Sequence, residues 1–150
     1  MPTIQPGQSM ITPGHTICEG DINLFAGLVG DSTPIHIDDV FAKSSPFGTR
    51  SSHGPPAIAP AFGMLTQTGI LDERVIALLN LNWDFSGPVK IDDTIRSRVT
   101  IEQSRSTSKP GREVATFVFE IINQDERVIQ RGRLLALVRA EAAGSRQAGA

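Results

Sequence analysis

The chain has 150 residues, 39% hydrophobic and 20% charged, with a formal net charge of −2; that is room for one domain with a real core, not two, in an ordinary globular composition. No basic stripe interleaved with aromatics points to nucleic acid, no apolar run nears the roughly 18 residues of a membrane span, and "MPTIQPGQSMITPG" lacks the basic-then-apolar order of a secretory signal. Cys18 is the single cysteine, which excludes an intrachain disulfide and suits a reducing, cytoplasmic setting.

In "EGDINLFAGLV", residues 19–29, Ile22, Phe25, Ala26 and Val29 fall on one helical stripe. Asp21 lies in the first turn, where the helix dipole favours an anion, and Gly30 stops the helix. "GDSTPIH", 30–36, follows. Pro34 fixes its own φ and pushes Thr33 out of the α region, so this stretch reads as a fixed, non-repetitive turn. "DDVFAKS", 38–44, reads as a short helix, and "SPFGTRSSHG", 45–54, as a polar loop. From Pro55 to Leu71 the chain is rich in small and apolar residues, the pattern of a buried helix. Pro55 and Pro56 fit a helix start; Pro60 either marks the true start or kinks the helix.

The period then changes to two. "RVIALLNLNWDF", "DTIRSRVTIEQ", "EVATFVFEII" and "RVIQRGRLLALV" each read as a strand. In the second, Ile95, Ser97, Val99 and Ile101 share a face; in the third, Ala115, Phe117, Phe119 and Ile121 do. Short turn-like linkers predict antiparallel neighbours, and helices followed by a meander predict an α+β domain with the sheet wrapped on one helix. The domain is expected over 1–143, with 144–150 a flexible tail.

Two titratable groups share the "GDSTPIH" turn, Asp31 and His36. A carboxylate and an imidazole held together make a general acid/base pair able to reach one water. The alternative is that Asp31 caps the turn and His36 is a satisfied, partly buried histidine. Only His15 and His53 remain as further histidines, with no ligand-spaced pair, so no metal or other cofactor is expected. His53 either pins its loop or walls a pocket.

"FAGLVGDSTPIHIDDVFA", 25–42, resembles the signature of the MaoC-like (R)-specific enoyl-CoA hydratases and 3-hydroxyacyl-CoA dehydratases. Phe25, Gly30, Asp31, Pro34, Ile35, His36 and Ala42 match at the right spacing. Val29 stands where a small residue is usual and Thr33 where Asn is. "SSHGPPAIA" resembles the family's His-Gly step into the central helix, and "WDFSGPVKIDDTI" its strand leading to Pro-Val and Gly-Asp-Thr, with Asp92 in place of Gly. The resemblance runs from about residue 15 to 139. It implies a hot-dog fold, a long central helix wrapped by a curved antiparallel sheet, and pairing as a homodimer or higher homo-oligomer. It places the catalytic pair on Asp31 and His36, hydrating trans-2-enoyl-CoA to (R)-3-hydroxyacyl-CoA or running the dehydration in reverse.

The developing enolate needs a donor, and a backbone N–H at a helix start supplies one without reorganisation. Gly54 is the candidate, since Pro55 and Pro56 carry no N–H. Ala59 stands where some relatives carry Ser. Lys43, Arg50, Arg96 and Arg98 either meet the phosphates of CoA or are solvated surface, and the sequence assigns neither. Two rivals follow from the same fold. An acyl-CoA thioesterase would want a carboxylate on the central helix, yet the first acids after Pro55 are Asp72 and Glu73. A non-catalytic acyl-CoA-binding protein would tolerate loss of Asp31 or His36, and both are present.

Overall fold

The computed structural model describes residues 4–140, so the expected tail lies outside the described residues. Two short strands open the chain, β1 (Ser9–Ile11) and β2 (His15–Thr16), which the sequence reading missed because neither is long enough to show a period. Helix α1 (Glu19–Val29) follows. Its Asp21 accepts from the Cys18 N–H at 2.8 Å, and Gly30 ends it in the left-handed region at φ 74°, a conformation glycine adopts without penalty. The apolar stripe is only partly buried. Ile22 and Ala26 enter the core, whereas Val29 is exposed.

The "GDSTPIH" stretch is more regular than a bare turn. Pro34 opens a single helical turn, α2 (Pro34–Ile37), because proline suits the first helical position. His36 therefore rides on a helical turn. Helix α3 (Asp39–Lys43) comes next, its N-terminus capped by Asp38, whose Oδ1 accepts from the Val40 and Phe41 N–H groups.

The central helix is split. A 3₁₀ turn spans Pro55–Ala57 and α4 runs Ile58–Gln67. Pro60 sits in the first turn of α4, near its start, where N–H groups have no intrahelical acceptor. Ala57, Ala61 and Leu65, four apart, are fully buried against the sheet. Burying a leucine of this kind contributes about 1.5–3 kcal/mol. The opposite face, with Ala59, Gly63 and Gln67, is exposed, so the helix is not buried all round as its composition suggested.

Four long strands follow: β3 (Val75–Phe85), β4 (Thr94–Ser106), β5 (Arg112–Ile122) and β6 (Val128–Arg139). The antiparallel order is β1-β4-β5-β6-β3, with β2 also on β4. The meander holds for β4, β5 and β6, but β3 pairs with β6, not with its sequence neighbour. Ile95, Val99 and Ile101 from β4, Phe117, Phe119 and Ile121 from β5, and Leu134, Ala136 and Val138 from β6 line the core face. Phe62 of α4 meets Phe119 edge-on at 5.4 Å. Trp83 lies across Gly132 so closely that a Cβ there would be 1.9 Å from the indole.

The outer face is a ladder of charges. Arg98 and Arg131 share Glu120, Arg133 pairs with Glu102, and Arg96 pairs with Glu126. Such exposed pairs contribute little each, but they give Arg96 and Arg98 carboxylate partners within the chain itself. No helix among the described residues is long and apolar enough to cross a membrane.

Candidate active site

Asp31 follows Gly30 at the end of α1, and its position is set by the residue two further on. The Thr33 hydroxyl donates to Asp31 Oδ1 at 2.6 Å and the Thr33 N–H donates to the same oxygen at 3.1 Å. Thr33 thus supplies two donors at the position where Asn is usual in the signature. These bonds, the hydroxyl first, hold the Asp31 pKa below its ordinary value, with His53 and His36 adding to the same effect. The other carboxylate oxygen, Oδ2, lies 3.5 Å from His53 Nε2.

His36 is fixed from the other side. Its Nδ1 lies 2.7 Å from the Ser51 carbonyl. A carbonyl only accepts, so Nδ1 carries a proton, and in the neutral ring the lone pair is on Nε2. Ser51 is itself anchored, since its N–H donates to the Ile35 carbonyl at 3.3 Å and it bridges to Lys90.

His53 is the residue whose place the sequence did not reveal. It has no acid near it along the chain, yet it is buried and packs its ring on His36 with centroids 3.7 Å apart. Phe25, the aromatic residue of the signature, packs on it at 5.0 Å. Its Nε2 lies 3.2 Å from the Asp31 carbonyl, which puts the proton on Nε2. Its Nδ1 is buried without a hydrogen-bond partner among the described residues. His53 therefore both pins its loop to Asp31 and walls the group. The spacing Phe25–Asp31–His36 together with a distant His-Gly step is the only sequence signal that could have found it.

One carboxylate oxygen of Asp31 and one ring nitrogen of each of His36 and His53 lie within 4.8 Å of one another. This convergence is absent from the linear spacing on which no metal was expected, and among the described residues these three could hold an ion. To serve as a ligand through the nitrogen facing Asp31, however, His53 would have to give up the proton it donates there. As arranged, the group is ordered for moving protons: an ionised carboxylate, one imidazole nitrogen free to accept, and a second imidazole holding the first in place. His15 does not join it; its Nε2 lies 3.5 Å from Asp21.

Gly54 follows His53 directly and caps the 3₁₀ turn before α4. Its N–H donates to no group among the described residues. The phenyl ring of Phe85, on β3, comes so close that a Cβ on Gly54 would meet it at 2.8 Å. Only glycine fits there without displacing that ring. Asp31 itself is 45% exposed at its side chain, so the group opens onto the surface of the chain.

Residues 3–120 match the family model described as "MaoC like domain". The chain belongs to the MaoC-like domain family. Among MaoC-like relatives, it is 42% identical to Protein MaoC of Klebsiella aerogenes over 110 residues, 73% of this chain and 32% of that protein. It is 35% identical to an (R)-specific enoyl-CoA hydratase of Rhodospirillum rubrum over 98 residues, 65% of this chain and 66% of that one. The chain thus spans about a third of the first relative and just under two thirds of the second. The crystal structure of a monoamine oxidase regulatory protein from Archaeoglobus fulgius superposes with a TM-score of 0.84 at 30% identity, covering 92% of each chain. A Mycobacterium tuberculosis protein described as a double hotdog fold superposes with a TM-score of 0.76 at 19% identity, over 93% of this chain and 43% of that one. The α+β architecture described above is a single hot-dog domain.

Proposed function

We propose that the protein catalyses the reversible addition of water to a trans-2-enoyl-CoA, giving (R)-3-hydroxyacyl-CoA, with Asp31 and His36 as the acid/base pair. The observation that carries this reading is the approach of Asp31 and His36 to within 4.8 Å, a gap that one water bridges at ordinary hydrogen-bond lengths. Relatives named (R)-specific enoyl-CoA hydratase and 3-hydroxybutyryl-CoA dehydratase support it.

In hydration, one O–H of the water donates a hydrogen bond to His36 Nε2 and stays on the oxygen as the product hydroxyl, while Asp31 takes the other proton as the oxygen bonds to the β-carbon. The π electrons move onto the thioester oxygen, where the Gly54 N–H meets the developing charge. The proton held on Asp31 then passes to the α-carbon, so one water is added across the double bond and the enzyme is returned unchanged. Dehydration is the same path reversed. The helix Ile58–Gln67 offers no carboxylate for thioester hydrolysis.

The test is hydration of crotonyl-CoA by Asp31→Asn and His36→Ala, with thermal unfolding on the same preparations. Loss of the general base should slow turnover by roughly 10²–10⁴-fold with KM nearly unchanged, and the double variant should fall little further, since the two act on one water. Variants that unfold early yet turn over normally when folded would sink the assignment. Free thiol release in place of double-bond loss would point to hydrolysis.

We also propose a homodimer joined edge to edge along β3. That strand pairs with β6 on one side and with no strand on the other among the described residues. It exposes Val75, Leu78, Leu79, Leu81 and Phe85, an apolar edge of the kind proteins normally cover. A strictly monomeric mass by light scattering at micromolar concentration, with activity intact, would remove this.

A further inference from the structure

Arg50 departs from the solvated surface that basic residues usually occupy. It is 4% exposed, and its guanidinium is spent entirely inside the chain. Nε donates to Asp39 Oδ1 at 2.8 Å, Nη2 pairs with Glu19 Oε1 at 2.9 Å, and Nη1 donates to Asn23 Oδ1 at 3.3 Å. The Arg50 carbonyl accepts from the Ile91 N–H at 3.1 Å. Glu19 and Asn23 lie on α1, Asp39 on α3, and Arg50 itself begins the loop that carries Ser51, His53 and Gly54.

Each of those three segments delivers one part of the active group. Helix α1 leads into Asp31. The α2–α3 pair carries His36. The loop supplies the Ser51 carbonyl that fixes the His36 tautomer, the His53 ring stacked on His36, and the Gly54 N–H. No other side chain among the described residues is shown bonding to both helices from that loop.

We propose that Arg50 is a positioning residue for the acid/base group, holding α1, α3 and the His53 loop in register so that Asp31, His36 and His53 converge. The proposal rests on the hydratase reading for its kinetic consequence but not for its structural one. Arg50 touches none of the three and takes no part in the chemistry. The planar fork is what the arrangement needs, because separate nitrogens reach carboxylates on two different helices. A lysine ammonium keeps the charge yet sits at one point.

The experiment compares the full-length protein with Arg50→Lys and Arg50→Met, measuring crotonyl-CoA hydration with kcat and KM resolved, thermal unfolding, and imidazole ¹⁵N spectra. The chain has only three histidines, so the spectra are assignable. Wild type should show His36 protonated at Nδ1 and His53 at Nε2. Both variants should lose kcat by roughly ten- to a hundredfold per folded molecule, the scale of a misplacement near 1 Å, with KM moving much less. Both should also lose the single His36 tautomer. Folded variants with wild-type kcat and wild-type spectra, differing only in melting temperature, would overturn the proposal.

If Arg50→Met does not fold, Glu19→Ala and Asp39→Ala each cut one arm at an exposed carboxylate. Unchanged kcat and spectra in both would again overturn it. A wild-type protein that hydrates no enoyl-CoA defeats the hydratase reading alone. The imidazole spectra need no substrate and then decide the role of Arg50.

Discussion

Thr33 gives both of its donors to one oxygen of Asp31, and this lowers the pH at which the proposed base titrates. A base must be ionised to act, so activity is present above the Asp31 pKa and is lost as pH falls through it. Because Thr33 holds that pKa below the ordinary carboxylate value, the acid limb of kcat/KM should lie below the usual carboxylate range, at about pH 3.9 for an unperturbed aspartate. Thr33→Val keeps the β-branch and the N–H but removes the hydroxyl. The limb should move to higher pH, and a pH profile of crotonyl-CoA hydration reads it directly. An unmoved limb would mean that Asp31 is not the titrating base. At this scale the sequence was half legible. Asp31 and His36 stand five residues apart in one motif and could be paired on sight. The partners of His53 lie 17, 22 and 28 positions earlier, and those of Arg50 11, 27 and 31 positions earlier. No local pattern reports such contacts, so a buried, forked arginine stood unassigned between a phosphate contact and a solvated surface cation.

At the scale of elements, alternation told which residues face the core. Ile95, Ser97, Val99 and Ile101 are all buried, as are Ala115, Phe117, Phe119 and Ile121. Strand order was not legible, because the partner of β3 is chosen by side-chain fit across the sheet and not by chain proximity. Trp83 over Gly132 is part of that fit, with the indole N–H donating to Gln130 at 2.9 Å. Filling the space should be costly. Gly132→Ala is expected to destabilise by about 1–3 kcal/mol, the usual cost of overpacking. Trp83→Leu in the same chain should recover part of that loss, since the two share one contact. Denaturant melts of the two single variants and the double variant measure the coupling. Strict additivity would show that Trp83 does not hold β3 against β6. Helix α4 teaches a related point. Its composition read as buried on every side, yet only the Ala57, Ala61 and Leu65 face meets the sheet. Composition reports apolarity but not whether one chain supplies all the cover.

For the molecule as a whole, the open edge of β3 ends at Phe85, whose ring lies against Gly54 beside the candidate site. The proposed dimer covers that edge, so dissociation should expose the site. Specific activity should therefore fall when the protein is diluted through its dimer dissociation range. Activity per chain that stays constant across the dissociation seen by analytical ultracentrifugation would separate assembly from function. The ring of Phe85 gives this coupling a further consequence. It belongs to the edge strand, yet it rests against Gly54, the proposed donor to the thioester oxygen. Whatever seats that ring in the proposed dimer would also shape the proposed substrate site. Thermodynamic reciprocity then applies: the factor by which dimerisation tightens acyl-CoA binding must equal the factor by which acyl-CoA tightens the dimer. A saturated thioester such as butyryl-CoA, which has no double bond to hydrate, should shift the monomer–dimer equilibrium toward dimer. Phe85→Ala should weaken that linkage more than it weakens either equilibrium alone.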